Sequence, residues 1–350
     1  ISREPGKNDC GMVAWLAEFS TPEFPNGRKC VFICNDITTQ AGSFGTKEDA
    51  FFFMASQYAR KFGIPRVYIA ANSGARIGMA NSLKDIFKIC WTDINDPAKG
   101  FDYIYLAKND YDELINKYKN NMDKFPLCCT QLEVTTSADG DIQRYRIDDI
   151  IGEEPDLGVE NLMGSGLIAG ETSRAYDDIF TLTMVVGRTV GIGAYLVRLG
   201  QRTIQRTQNS PIILTGHQAL NKLMGRNIYT ANDQLGGPMI MFPNGVSHLL
   251  ADDHMDSVNK TLDWLRFVPS HKGGHLPLRD IKGIDIIDRD IEFAPQKNVV
   301  YDARHLATGV YNGDNWESGF FDKDSFIETL AGWAKTVITG RACLGGIPMG

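Results

Sequence analysis

Four short stretches combine glycine, serine and small apolar residues in the way a backbone needs to approach a ligand closely. The first is Asn72-Ser73-Gly74-Ala75-Arg76-Ile77-Gly78, directly after the strand-like run RVYIA. A helix opening there turns unpaired N–H groups and the positive end of its dipole toward an oxyanion or a phosphate. The plainer alternative is a tight strand–helix turn with no ligand, which is common in α/β folds. The second, Gly164-Ser165-Gly166-Leu167-Ile168-Ala169-Gly170, lacks the lysine of a P-loop and the spacing of a dinucleotide fingerprint, so by itself it reads as a packing turn. The third, Arg188-Thr189-Val190-Gly191-Ile192-Gly193-Ala194-Tyr195, follows the apolar run FTLTMVV and opens a helix. Gly191 and Gly193 are suited to exposing N–H groups. Arg188 is the one charge in that segment, able to hold a carboxylate or phosphate bidentately or to pair with a nearby Asp. The fourth runs from Asn232 to Gly245 around Gln234-Leu235-Gly236-Gly237, a sharp turn against another backbone, with His248, Asp252 and Asp253 close behind.

What is missing narrows the chemistry. There is no GxSxG elbow and no HExxH, and the six histidines show no paired ligand spacing, so no metal site is expected. Asp252, Asp253 and His254 adjoin in sequence and read as solvated charge. An enzyme built this way stabilises developing charge with backbone amides rather than with a side-chain nucleophile or a metal.

These turns need elements to hold them. A 350-residue chain with 43% hydrophobic residues has ample apolar material for one large domain or two smaller ones. The net charge of −7 argues against a general polyanion-binding surface, so nucleic acid is not an expected partner. No run approaches ~18 apolar residues, the length of a membrane span. The seven cysteines form no CxxC pair, and Cys30 and Cys34 lie in an apolar run, which fits free thiols and a cytoplasmic location. The chain starts at Ile1 without a signal peptide and ends in a glycine-rich, apolar stretch. Both ends read as edges within a longer polypeptide.

Strand and helix patterns alternate, which argues for an α/β fold. Strands are expected at 29–35, 66–70, 101–106, 180–186 and 211–215, and helices at 47–62, 191–206, 219–224, 256–267 and 324–334. Residues 108–157 read as peripheral, with a helix near 110–119 and two hairpin strands, 131–136 and 143–150, turning at Ala138-Asp139-Gly140-Asp141. Residues 269–310 turn rich in Pro, Gly, Asp and Lys and read as an extended linker.

The segments NSGARIGMA, ENLMGSGLIAGETSRAY, GRTVGIGAYLVRLGQRTIQ, IILTG, GRNIYTANDQLGG, NGVSH and FIETLAGWAKTVITGRACLGGIPMG occur in order along the chain. Together they resemble the carboxyltransferase region of eukaryotic multidomain acetyl-CoA carboxylases. The resemblance implies a crotonase-like ββα superhelix. Residues 1–268 would form the N-terminal carboxyltransferase domain, with 108–157 a peripheral insertion. Residues 269–340 would be a connector and helix, and 341–350 the start of a second crotonase-like domain. The implied reaction moves a carboxyl group from carboxybiotin to the methyl carbon of acetyl-CoA, giving malonyl-CoA. Backbone amides of Ala75, Gly191 and Ile192 would stabilise the oxyanions, and Arg188 would bind acetyl-CoA. Leu162, Gly191 and Tyr195 match positions lining the acyl and biotin pocket, with Gly74 and Gly164 beside them. Biotin would arrive on a carrier domain outside this chain. ATP and Mg or Mn would serve only a biotin carboxylase domain elsewhere. The implied partners are that carrier domain and the C-terminal carboxyltransferase domain of a dimer partner, in a homodimer. Gln40, Met163 and Cys343 depart from the family pattern, and Gln40 stands where a basic residue would meet CoA phosphates. A carboxyltransferase for propionyl-CoA or another acyl-CoA, and a non-catalytic CoA-binding or dimerisation module, are the competing readings.

Overall fold

The computed structural model describes residues 10–76, 81–122, 125, 127–134, 143–150 and 162–350. The chain divides into two compact units. One comprises residues 1–43, 51–74 and 167–350, the other 44–50 and 75–166.

The first unit is built on a six-stranded sheet. Its strands run in the order Met12–Thr21, Phe24–Asn35, Arg66–Ala70, Thr181–Val185, Arg202–Arg206 and Leu249–Ala251. The first pair is an antiparallel hairpin and every later pairing is parallel. A parallel strand covered on both faces needs side chains that tolerate burial at every position. The strand Thr181–Val185 meets this condition, with all five residues buried. Cys30, Val67, Leu182, Met184, Ile204, Ala251 and Trp264 form the core on one face. Burial pushes the Cys30 thiol up to about 12, so it stays a neutral apolar filler.

The helix Thr46–Phe62 carries Glu48 and Asp49 in its first turn and Arg60 and Lys61 in its last, complementing its dipole. Gly63, at φ 67°, ends it. The helix Leu162–Asp178 contains the whole Gly164–Gly170 run, which is therefore helical rather than the turn expected for it. Its Glu171 side chain is fully buried, paired with Arg60 at 2.8 Å and hydrogen-bonded by Ser56 at 2.9 Å. The helix His254–Leu265 begins at Asp253, whose carboxylate accepts the Asp256 N–H at 2.8 Å. Asp253, expected as solvated charge, is thus a helix cap.

Two expected helices need correction. The helix expected over 191–206 stops at Leu199, and Arg202–Arg206 is a strand of the main sheet. No helix occupies 324–334. Ile327–Thr329 is a strand pairing with Thr339–Arg341, and Asp324, Leu330 and Ala334 sit at positive φ, which no right-handed helix accommodates. The only helix of 269–340 among the described residues is Arg304–Thr308. In the glycine-rich stretch that ends the chain, Thr339–Leu344 turns back at Gly345-Gly346 into Ile347–Met349, giving a hairpin.

The second unit holds a four-stranded antiparallel sheet in the order Lys88–Trp91, Phe101–Ala107, Gln143–Ile150, Leu127–Glu133. The helix Lys108–Tyr118 supplies Leu114 to a core with Leu83, Leu106, Leu127, Tyr145 and Ile147. Tyr111 stacks on Tyr145 at 3.7 Å between centroids. Because Phe101–Ala107 pairs with Gln143–Ile150, this unit reaches outside the 108–157 expected as peripheral. The turn Ala138–Asp141 lies outside the described residues.

Candidate active site

The strands Arg66–Ala70 and Thr181–Val185 pair along their whole length and end side by side. Each runs straight into one of the small-residue segments, so the parallel register delivers both turns to the carboxyl edge of the sheet. That edge is where open α/β sheets receive ligands. The turns are joined directly. Asn72 N–H donates to the Arg188 carbonyl at 2.7 Å, and Asn72 Oδ1 accepts both Gly74 N–H and Val190 N–H at 3.1 Å. Gly74, at φ 82°, has room for nothing larger, since a Cβ there would stand 2.9 Å from the Val190 carbonyl oxygen.

Thr189–Val190 forms a short parallel ladder with Ile212–Ile213, and Gly191 N–H donates to the Ile213 carbonyl at 2.9 Å. The Gly191 amide, expected as an oxyanion donor, is thereby occupied. Its role is conformational. With φ 54° and ψ −119° it adopts a backbone that side chains disfavour, and it starts the helix Ile192–Leu199. The next amide, that of Ile192, opens this helix and has no hydrogen-bond partner among the described residues. It is the donor this turn leaves available. Gly193 follows under compression: a Cβ there would stand 2.2 Å from Asn72 Oδ1.

Arg188 is exposed at the same edge. Its Nη2 donates to Ser73 Oγ at 2.8 Å, and that hydroxyl donates to the Ala41 carbonyl at 2.9 Å. Among the described residues no carboxylate pairs with Arg188, so the alternative of an Asp partner is not realised. Ser73 therefore aims the guanidinium without neutralising it. Gln40 and Ala41 sit at φ 49° and 52° in the short turn that accepts this bond, which places the Gln40 departure in the same neighbourhood. Tyr195 is exposed on the first turn of the helix, and Leu214, 62% exposed, follows the short strand Ile212–Ile213.

The first unit thus assembles Gly74, Arg188, Gly191, Ile192 and Tyr195. Ala75, Leu162 and Gly164 belong to the second unit. There Ala75 bridges Phe44 in parallel register, and Arg76 N–H donates to the Phe44 carbonyl at 2.7 Å. The Ala75 N–H has no partner among the described residues. Arg76 pairs with Glu48 at 3.2 Å. Gly164 is buried within its helix. Ile77 and Gly78 lie outside the described residues.

Asn72, at the head of the candidate ligand-facing turn, is itself 3% exposed and ties the two turns together. Its signal in the sequence was a lone amide residue directly between an apolar strand and a Ser-Gly pair. Gln205 is a second residue that sequence reasoning passed over. Fully buried, it donates from Nε2 to the carbonyls of Ser210 at 2.8 Å and Gly236 at 3.1 Å, and accepts from Ser247 at 2.6 Å. This network seats Gly236 against Ile212, where a Cβ would stand 1.9 Å from the carbonyl oxygen, and so backs the ladder that holds Gly191.

Known proteins resemble this chain over nearly its whole length. The carboxyl transferase domain model matches residues 22–350. Acetyl-CoA carboxylase of Schizosaccharomyces pombe is 52% identical over 350 residues, and that of Dictyostelium discoideum is 52% identical over 356. The mitochondrial acetyl-CoA carboxylase of Saccharomyces cerevisiae is 51% identical over 351 residues. The chain spans only 15% of the length of each of these relatives while being 99–100% covered itself. Among solved structures, transcarboxylase 12S, a hexamer assembly with methylmalonyl-coenzyme A and methylmalonic acid bound, superposes with a TM-score of 0.62 at 16% identity. That match covers 97% of this chain and 48% of the other, and the shared fold is the crotonase-like one expected from the sequence. With a family model covering nearly its whole length, this chain belongs to the carboxyl transferase domain family.

Proposed function

We propose that this chain is the N-terminal carboxyltransferase domain of an acetyl-CoA carboxylase. It would move a carboxyl group from carboxybiotin to acetyl-CoA, giving malonyl-CoA. The observation that carries the reading is identity of about half over the whole chain to acetyl-CoA carboxylases of three organisms. The site chemistry fits. In the reaction the acetyl methyl carbon would give up a proton and gain the carboxyl group that carrier-borne carboxybiotin supplies, with biotin taking the proton as it is released. Negative charge grows on the thioester oxygen as the methyl proton leaves. A preorganised N–H aimed at such an oxygen is worth roughly 10²–10³ in kcat. Ile192 N–H and Ala75 N–H are the proposed donors, neither with a hydrogen-bond partner among the described residues. Gly191 sets the backbone that exposes the first of them. Arg188, charged and unneutralised, is proposed to hold an anionic group of the CoA thioester.

Biotin, carried on another domain, supplies the activated carboxyl group. The proposed partners are that carrier domain and the C-terminal carboxyltransferase domain of a dimer mate. ATP and Mg or Mn belong, on this reading, to a separate biotin carboxylase domain. Residues 1–268 are proposed as the catalytic domain proper, 269–340 as the connector and 341–350 as the start of its second half. No described helix is long and apolar enough to cross a membrane. A cytoplasmic location is proposed from the free thiols, although one relative is named mitochondrial.

The test is carboxyl transfer by the complete polypeptide that contains this chain. Acetyl-CoA and propionyl-CoA would be offered with the carboxylated carrier domain, and malonyl-CoA formation followed. No product from acetyl-CoA would remove the proposal. Preferential use of propionyl-CoA would move it to the neighbouring activity.

A further inference from the structure

Asn72 makes more directed bonds than any packing role requires. All four hydrogen-bonding positions of its side-chain amide are used. Oδ1 takes the Gly74 and Val190 N–H groups at 3.1 Å each. Nδ2 donates to Tyr68 Oη at 3.2 Å and to Asn35 Oδ1 at 3.5 Å. Behind it, Tyr68 Oη donates to Asn35 Oδ1 at 2.6 Å, and Asn35 Nδ2 donates to the Gly42 carbonyl at 3.2 Å. Burial holds the Tyr68 hydroxyl far above its ordinary range, so this relay stays neutral.

The relay faces one place. Val190 is held by Asn72 from one side, and Gly191 is held by the Ile213 carbonyl from the other. Gly193 closes on the Asn72 amide too tightly for any side chain. Between these anchors Ile192 N–H is the amide that has no partner among the described residues. An amide pre-aimed in this way stabilises charge without reorganising during the reaction.

We propose that Asn72 is a positioning residue for carboxyl transfer: through Val190 and Gly193 it fixes the direction of the Ile192 amide, with Tyr68 and Asn35 fixing Asn72. The inference rests on the carboxyltransferase reading above. It assigns Asn72 no contact with substrate. Its loss therefore acts on kcat and leaves the KM for acetyl-CoA, which Arg188 serves, close to its starting value.

The experiment uses the complete polypeptide, in wild type and as Asn72→Ala and Tyr68→Phe. Steady-state kinetics are measured well below each melting temperature, alongside hydrogen exchange of peptides spanning residues 188–195. If the wild type forms no malonyl-CoA, the functional reading has failed, and the exchange data alone then decide whether Asn72 orders the turn. With an active wild type, Asn72→Ala is expected to lower kcat by ~10²-fold with KM changed less than ~3-fold and with faster exchange in 188–195. Tyr68→Phe removes one support of the relay and leaves the turn-facing oxygen in place. It is expected to lower kcat by ~3–10-fold with the same KM pattern, and it decides the matter if Asn72→Ala does not fold. A kcat per folded enzyme within ~2-fold of wild type in the folded variants, or a loss expressed in KM alone, overturns the proposal.

Discussion

Two glycine-containing segments of seven residues, GSGLIAG at 164–170 and RTVGIGA at 188–194, end in opposite structures. The first lies inside the helix Leu162–Asp178, and a Cβ at Gly166 or Gly170 would meet nothing within 4 Å. The second is a turn in which Gly191 sits at φ 54° and Gly193 is pressed against Asn72. Glycine content is thus no guide to a ligand-facing backbone. What separates the two is the element in front. The run before 188 is a fully buried parallel strand whose end is fixed by its neighbours, so the chain must turn there. A glycine required by a close approach is the informative kind, and a glycine on an open helix face only lowers stability.

The contrast can be broken most sharply at Gly193. Gly193→Ala places a methyl group on the Asn72 amide and is expected to cost about 3 kcal/mol of stability. The same variant should lower turnover more than ~100-fold in the folded fraction. A melting temperature and kcat both near wild type would show that the turn is as permissive as the helix. Arg188→Ala comes next. Removing a charge-assisted contact is worth about 1.5–3 kcal/mol, which should appear as a raised KM for acetyl-CoA with little change in melting temperature. An unchanged KM would return Arg188 to a surface role.

A third test concerns what stands behind the turn. Thr203 N–H donates to His248 Nδ1 at 3.1 Å and ties the end of the chain's 247–248 segment to the strand Arg202–Arg206. Burial, with the positive charges of Arg202 and Arg198 adding to it, lowers the His248 pKa from 6.5 to about 4. Below pH 6.5 the unfolded chain therefore binds a proton that the folded chain refuses. This stability is complete above 6.5 and lost as pH falls toward 4, a change of about 3 kcal/mol. His248→Asn keeps an acceptor for Thr203 and should flatten the dependence of melting temperature on pH in that window. An identical profile in both proteins would assign the acid sensitivity to other groups. The smallest effect is expected on the helix side: Gly170→Ala should raise stability by about 1 kcal/mol and leave kcat unchanged. Destabilisation there would mean that this glycine too is required by its surroundings.

The same physics explains what the sequence disclosed. The strands expected at 29–35, 66–70 and 180–186 were legible because β-branched, aromatic and other apolar residues fill most of their positions. Arg202–Arg206 was not, since its Thr203 and Gln205 are polar yet 1% and 0% exposed. The Thr203 hydroxyl is taken up by the Val197 carbonyl and the Gln205 amide by Ser210, Gly236 and Ser247, and the last two are distant in sequence, where no local pattern reveals them. Residues 324–334 misled in the other direction. Phe326, Ile327, Leu330 and Trp333 fall at helical spacing, but positive φ at Leu330 and Ala334 breaks the run into a strand and turns. At the site, Arg188 and the Gly191-Ile192 turn were visible as residue types. Which of the two amides remains available depended on Ile213, a residue of another element.

The central strand pair has a kinetic consequence. Arg66–Ala70 and Thr181–Val185 are neighbours in the sheet, while residues 75–166 stand between them in the chain. Joining them directly means closing a long loop before any contact rewards it, which makes such pairings slow. The intervening unit has an antiparallel sheet and its own core, so its pairings close shorter loops. It should therefore form first and act as a preformed spacer. Trp91, edge-on to Phe101 at 6.4 Å, reports on that unit, and Trp264, 2% exposed in the sheet core, reports on the other. In refolding, the Trp91 signal is expected to settle ahead of the Trp264 signal. A single shared rate would mean that the spacer gains its order only from the sheet it interrupts.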